Sequence, residues 1–213
     1  MAIIKKGILG PVEGSVAQIV GYIRKGVPII RKKGDKERPP RSEKQKAVNK
    51  RFAFAMSFVK PAKPFLNFSF SCSTEGGQTA HNVAVSKTLQ AVRGDVTDYH
   101  FDYTALIVAA GHLLPALNAR VEMVQPGLLR FLWDQDASDN YQRSQDQVML
   151  LAYMPETQNA FYILSGARRA AGQEMLAVPA QETGQAIETY IAFISDDRKS
   201  VSLSTYTGQV AVS

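Results

Sequence analysis

The sequence predicts a mainly β protein of the α+β kind: an N-terminal β-hairpin and an amphipathic helix, then a C-terminal β-sandwich. Three observations predict it. Two β-rich runs flank Lys25-Gly26 near the start. Apolar residues then recur at helical spacing from Val48. From Ala119 onward, seven short β-rich runs alternate with turn signals.

The hairpin comes first. Ser15–Ile23 and Val27–Lys33 read as its two strands, approached through Gly10-Pro11 and Gly14. Pro28 lacks a backbone donor and belongs on an edge strand. An exposed edge needs protection or a partner, and Lys and Arg in the second run serve either purpose.

The helix start is marked by Pro39-Pro40, which bias the preceding backbone to extended geometry. Ser42 is the expected N-cap, with Gln45 at capping-box spacing. The apolar stripe is Val48, Phe52, Ala55, Met56 and Val59, widened by Ala47 and Phe54. Lys46, Asn49, Lys50, Ser57 and Lys60 fill the other side, and Pro61 and Pro64 end it.

Between helix and sandwich the pattern is mixed. Phe68, Phe70 and Cys72 alternate with polar residues in FLNFSFSCS, which predicts a strand over 65–73. A short helix is expected over Thr79–Val92 and a strand over Tyr99–Ala110. The sandwich strands are then Ala119–Val124, Leu128–Asp134, Gln147–Met154, Ala160–Leu164, Glu174–Val178, Ile187–Ile194 and Ser200–Tyr206. Trp133, the sole tryptophan, is expected in its core. The division expected is 1–115 for the basic hairpin, helix and β/α region, and 116–213 for the sandwich.

Charge is unevenly placed. The net +6 divides into 16 Lys/Arg against 4 Asp/Glu in residues 1–65 and 9 against 15 in residues 66–213. Residues 24–46 alone hold ten basic and three acidic residues. The partner-binding candidates are therefore Arg24, Lys25, Arg31, Lys32, Lys33, Arg38, Arg41, Lys46 and Lys50. Such asymmetry suits an acidic partner or head-to-tail contact between copies. A solvated basic face is the plainer account. A nucleic acid held along Arg24–Arg51 is the runner-up, although aromatic side chains stand only at the borders of that stretch.

No apolar run approaches the roughly 20 residues of a membrane span, and the N-terminus lacks the apolar stretch and cleavage site of a signal peptide. A cytoplasmic protein or a component of an assembled particle is the expectation. Cys72 is the only cysteine, which excludes an internal disulfide and a cysteine-based zinc cluster.

No catalytic, cofactor or metal motif is expected. His81, His100 and His112 are scattered, with no His-x-x-x-His spacing. His100 and Asp102 share a face if they lie on a strand, and a structural pair is favoured over a catalytic dyad. Cys72 is expected as a small buried thiol, meeting His81 only through folding. The acids Asp134, Asp136 and Asp139, with Asp146 beyond, offer oxygen ligands but lack the glycine and closing glutamate of a calcium loop, so a solvated loop is expected.

Two resemblances follow. The region from Arg120 resembles a fibronectin type III or related immunoglobulin-like sandwich, on Trp133, Tyr153, Leu176-x-x-Pro179 and Tyr190. That implies a fold and no activity. The whole chain also resembles an uncharacterised family from Bacteroidota. The shared features are GPVEGSVAQIVGYIRKG, the segment Pro40–Gln45 running to Arg51-Phe52, and the late AFISDDRKSVSLSTY. Pro39 stands where family members carry Asn. This resemblance supplies no function. The expectation is a non-enzymatic structural or interaction protein whose basic region attaches to a protein partner or to further copies, with the sandwich as scaffold.

Overall fold

The computed structural model describes residues 2–4, 10–34, 40–74, 77–135, 144–179 and 186–211. The chain divides into two compact units, Met1–Glu43 and Lys44–Ser213.

The first unit is a four-stranded antiparallel sheet in the order β1 (Ala2–Ile4), β2 (Val12–Val16), β3 (Ile19–Arg24), β4 (Val27–Lys32). The run expected as one strand over Ser15–Ile23 is broken. Ala17, at φ 47°, turns the chain and makes two strands of it, so the single hairpin becomes a meander. The second turn falls at Lys25-Gly26, with φ 50° and 80°, the paired positive values that tight hairpins require. Pro28 lies on the outermost strand β4, as its missing donor demands. Gly14, at φ 112°, bends β2 so that the carbonyl of Val12 lies against Gly21. A Cβ at Gly21 would run into that carbonyl. We expect Gly21→Ala to push β2 off β3 at a cost of about 1–3 kcal/mol. Limited proteolysis within residues 10–34 reads this directly, and an unchanged cleavage rate would refute it.

The second unit takes in all but the first residue of α1 (Glu43–Val59), a helix that starts one residue after Ser42. Its buried face is Ala55, Phe58 and Val59, with Phe54 and Met56 half-buried. The predicted stripe is displaced. Val48 is 68% exposed and Phe52 47% exposed, because only the last turns of the helix lie on the core.

The strand expected over 65–73 is instead α2 (Lys63–Ser69) followed by a 3₁₀ turn at Ser71–Ser73. Phe65, Leu66, Ser69 and Phe70 are the buried residues, and their spacing is helical; Pro64 sits in the first turn, where its missing N–H costs nothing. Cys72 is exposed, against the expectation of a buried thiol. Next, α3 (Ala80–Ala91) starts at Thr79, whose hydroxyl accepts from the Asn82 amide at 3.2 Å.

The expected strand Tyr99–Ala110 shrinks to a two-residue ladder of β5 (Val92–Arg93) with β6 (His100–Phe101). Asp102 ends it: its carboxylate accepts from the Thr104 hydroxyl at 2.6 Å and the Ala105 amide at 3.2 Å, which curls the backbone into a turn.

Seven strands follow, as expected: β7 (Arg120–Gln125), β8 (Leu128–Leu132), β9 (Gln147–Met154), β10 (Asn159–Ile163), β11 (Gln173–Ala177), β12 (Ala186–Ile194) and β13 (Thr205–Ala211). Only the last is displaced from its predicted place. Val201-Ser202 forms isolated bridges, and the ladder with β12 runs from Thr205. The strands make two antiparallel sheets, β11-β8-β7 and β10-β9-β12-β13.

The four-stranded sheet is covered on both faces. One side of β9 and β12, with Val148, Leu150, Ile191 and Phe193, packs on Leu129, Phe131, Trp133 and Leu176 of the three-stranded side. The other side, with Met149, Leu151, Tyr153, Tyr190 and Ala192, packs on Phe58, Val59, Phe65, Leu66 and Phe70 of the helices. Residues before and after position 115 therefore share one core. No helix among the described residues is long and apolar enough to cross a membrane.

Candidate functional site

The candidate cations are distributed by simple strand and helix geometry. Arg24 closes β3, Lys25 is in the turn, and Arg31 and Lys32 end β4, with Lys33 just beyond. Register places Arg31 opposite Val20 and Lys32 opposite Ile19. Alternation then puts Arg24, Arg31 and Tyr22 on one face and Lys32 on the other. The Arg31 guanidinium carbon lies 5.9 Å from the centroid of the Tyr22 ring. Arg41 precedes α1, and Lys46 and Lys50 are four apart on it, hence on one side of the helix. All of these side chains are exposed. Arg38 lies outside the described residues. Arg51, inside the same basic stretch, is structural. Its guanidinium donates to the carbonyls of Leu89 and Val92 at 3.0 and 3.2 Å, at the end of α3.

The other candidates separate. Asp102 is engaged by Thr104, Ala105 and, at 3.6 Å, Arg93. The Thr104 hydroxyl above all holds its carboxyl below the usual range. The group ends a strand as a turn former. Cys72 donates to the Arg198 carbonyl at 3.6 Å and lines a groove of about 260 Å³ with His112 and Lys199; His81 is on α3 and does not line it.

The acidic run does not act as one set. Asp146, expected in a solvated loop, is buried against Arg169. Asp134 accepts from the Asn118 side-chain amide at 2.5 Å, and Asp136 and Asp139 lie outside the described residues. Among the described residues no group of three or more His, Cys, Asp or Glu is placed to hold a metal ion.

Two polar clusters escaped sequence reasoning. In one, the Arg169 side chain is buried against β12. It donates to Asp146 at 3.3 Å and to the carbonyls of Leu114 and Pro115 at 2.7 and 3.3 Å, and its guanidinium carbon sits 3.7 Å over the Phe193 ring. Trp133 Nε1 donates to the Arg169 carbonyl at 2.8 Å.

In the other, buried Glu188 accepts from Tyr206 at 2.6 Å and Gln209 at 2.9 Å, while the Tyr190 hydroxyl donates to the Tyr103 carbonyl at 2.9 Å. Burial pushes the phenols of Tyr103, Tyr190 and Tyr206 far above their ordinary range. Burial likewise raises Tyr153 to about 12 against the opposing pull of the Ser57 hydroxyl. At neutral pH these phenols are protonated; Tyr206 donates from β13 to Glu188 on β12, and Tyr190 ties β12 to the turn at Tyr103. The one signal available was Glu188 itself, an acid inside the apolar run AIETYIAFI.

Fold and side-chain arrangement together define a mainly β protein, a seven-stranded sandwich backed by three helices, preceded by a small sheet with exposed cations. The chain belongs to a family of unknown function, DUF6266, whose profile matches residues 11–208. No curated protein matches the sequence.

Proposed function

We propose that this is a non-enzymatic structural or interaction protein. The basic region attaches it to a protein partner or to further copies of itself, and the sandwich is the scaffold of a homo-oligomeric or virion-like assembly. The observation that carries this reading is the set of cations Arg24, Lys25, Arg31, Lys32, Lys33, Arg41, Lys46 and Lys50, every one exposed on or beside a regular element. Support comes also from the body, whose central strands are occupied in packing against both neighbouring layers. Kinship with fibronectin type III modules and an origin in Bacteroidota belong to the same reading. The first favours a display role. Its support is the strand order, in which the first, second and fifth strands form one sheet and the third, fourth, sixth and seventh the other.

The test is sedimentation of the chain at low and high salt beside a variant with Arg24, Arg31, Lys32 and Arg41 changed to Gln. Charge-driven attachment predicts association that weakens with salt and in the variant. A chain that stays monomeric at every concentration and salt would sink the self-assembly reading. Binding of DNA or RNA that falls steeply with salt would put the runner-up, a nucleic acid along Arg24–Arg51, in its place.

A further inference from the structure

Among its described residues, the first unit carries one face that is mostly apolar. On it lie Val16, Ile19, Ile23, Pro28 and Ile30, brought together by the pairs Val16–Ile19, Gly21–Ile30 and Ile23–Pro28. The carbonyl of Val12 covers Gly21 in their midst. Around it Val16 is 56% exposed, Ile19 52%, Ile23 43% and Ile30 63%. Lys32, at the rim beside Ile19, is the one charged residue of β3 and β4 on this side. A small sheet with such a face needs a second layer.

We propose that this face packs against the same face of a second copy of the chain. The inference rests on the self-association part of the reading above, and adds to its charge-driven contact a second, apolar surface that salt does not weaken. Four observations select the occupant. First, edge pairing is interrupted. The Lys33 amide bonds inward to Gln18, so by alternation residues 28, 30 and 32 turn their backbone groups outward along β4, and Pro28 has no N–H to offer there. The face is the less interrupted route.

Second, an anionic surface is a poor fit. Arg24 and Arg31 stand on the opposite side of the sheet, so a membrane or nucleic acid cannot meet the apolar residues and these cations together. Third, the twin face is the matching one among the described sheets. The four-stranded body sheet is covered on both sides, and the outer side of the three-stranded sheet is crossed by Arg120, Glu122 and Arg130, with Arg130 and Glu122 paired at 2.6 Å.

Fourth, charge opposes the pairing only at the rim, where the exposed Lys32 of each copy keeps its ammonium in water. Stacked sheets lie about 10 Å apart, and Arg24 and Arg31 of each copy project away from the seam; their separation across the pair therefore exceeds a Debye length of about 8 Å at physiological salt. The patch is made by four exposed apolar side chains, Val16, Ile19, Ile23 and Ile30. A standard interface takes about 800 Å² from each partner, so the pairing is concentration-dependent and not obligate.

Sedimentation equilibrium of the full chain, from micromolar to millimolar and at low and high salt, tests this. The expected result is a monomer–dimer equilibrium that survives high salt, with the dissociation constant raised about tenfold or more by Ile30→Glu. Ile23→Thr, which keeps a β-branched side chain, is the second variant should the first disturb the sheet, and far-UV circular dichroism checks both. Association that dissolves in salt and is indifferent to both variants overturns this inference while leaving charge-driven attachment standing. A monomer throughout overturns this inference and self-assembly together. A monomer that binds phosphatidylserine vesicles, and loses them on Ile30→Glu, assigns the face to lipid and overturns the second-copy proposal.

Discussion

Arg169→Ala is expected to be among the most damaging single substitutions in the body, at about 3–5 kcal/mol, because it strands a buried carboxylate. The guanidinium ties together three segments far apart in sequence: Asp146 at the start of β9, the Leu114 and Pro115 carbonyls, and the Phe193 ring on β12. Both charged side chains are nearly sealed from water, at 3% and 6% exposure. Solvent cannot replace the lost partner. In a body of this size the cost corresponds to a fall in Tm of about 6–20 °C. Arg169→Lys retains the charge but not the planar fork that reaches two carbonyls and a carboxylate together, so it should recover only part of the loss. Replacing Arg169 and Asp146 together by Met and Leu removes both charges and should cost less than the single Ala change. Urea unfolding of the set decides the matter; Arg169→Ala within about 1 kcal/mol of the parent would show the pair to be incidental.

None of this could be read from the sequence around it. Arg168 and Arg169 stand side by side in GARRAAGQ, yet one is exposed and the other buried. Which one turns inward depends on the 3₁₀ turn Arg169–Ala171 and on residues more than fifty positions away. The sandwich strands were legible because alternation and turn residues are local signals. Their second covering layer was also written in the sequence, in VMLLAYM of β9, where apolar residues run on without alternation. Such a run marks a strand buried on both faces. Alternation misled at FLNFSFSCS, where two periodicities overlap and the contact with α3 favours the helix. At the candidate site, the identity of the exposed cations was legible from composition. Their partition onto opposite faces of the sheet was not, because it hangs on the turn at Ala17-Gln18 and the register it sets.

The displaced stripe on α1 leads to the second large effect. Sequence periodicity gave Val48 and Phe52 the same standing as Ala55 and Val59, and it omitted Phe58. In the structure Phe58 is wholly buried, its ring edge-on to Tyr153 at 4.7 Å and tilted against Phe101 at 6.0 Å. Phe58→Ala should therefore cost about 3–5 kcal/mol, because it leaves an aromatic-sized cavity between two layers that cannot close over it. Phe52→Ala, on the same helix and of the same chemistry, should change stability by no more than about 0.5 kcal/mol. The contrast separates two accounts of the helix. If α1 belongs to the sandwich core, unfolding monitored at Trp133 on the far side of β9 and β12 must register the Phe58 change as one cooperative transition, because Met149, Leu151 and Tyr153 share strands with Val148 and Leu150. If the helix layer were an appendage, the Trp133 signal would keep its midpoint while helical circular dichroism melted earlier. Equal losses for Phe52→Ala and Phe58→Ala would return the helix to the orientation that periodicity alone suggests, with Val48 and Phe52 turned inward and unable to serve any partner.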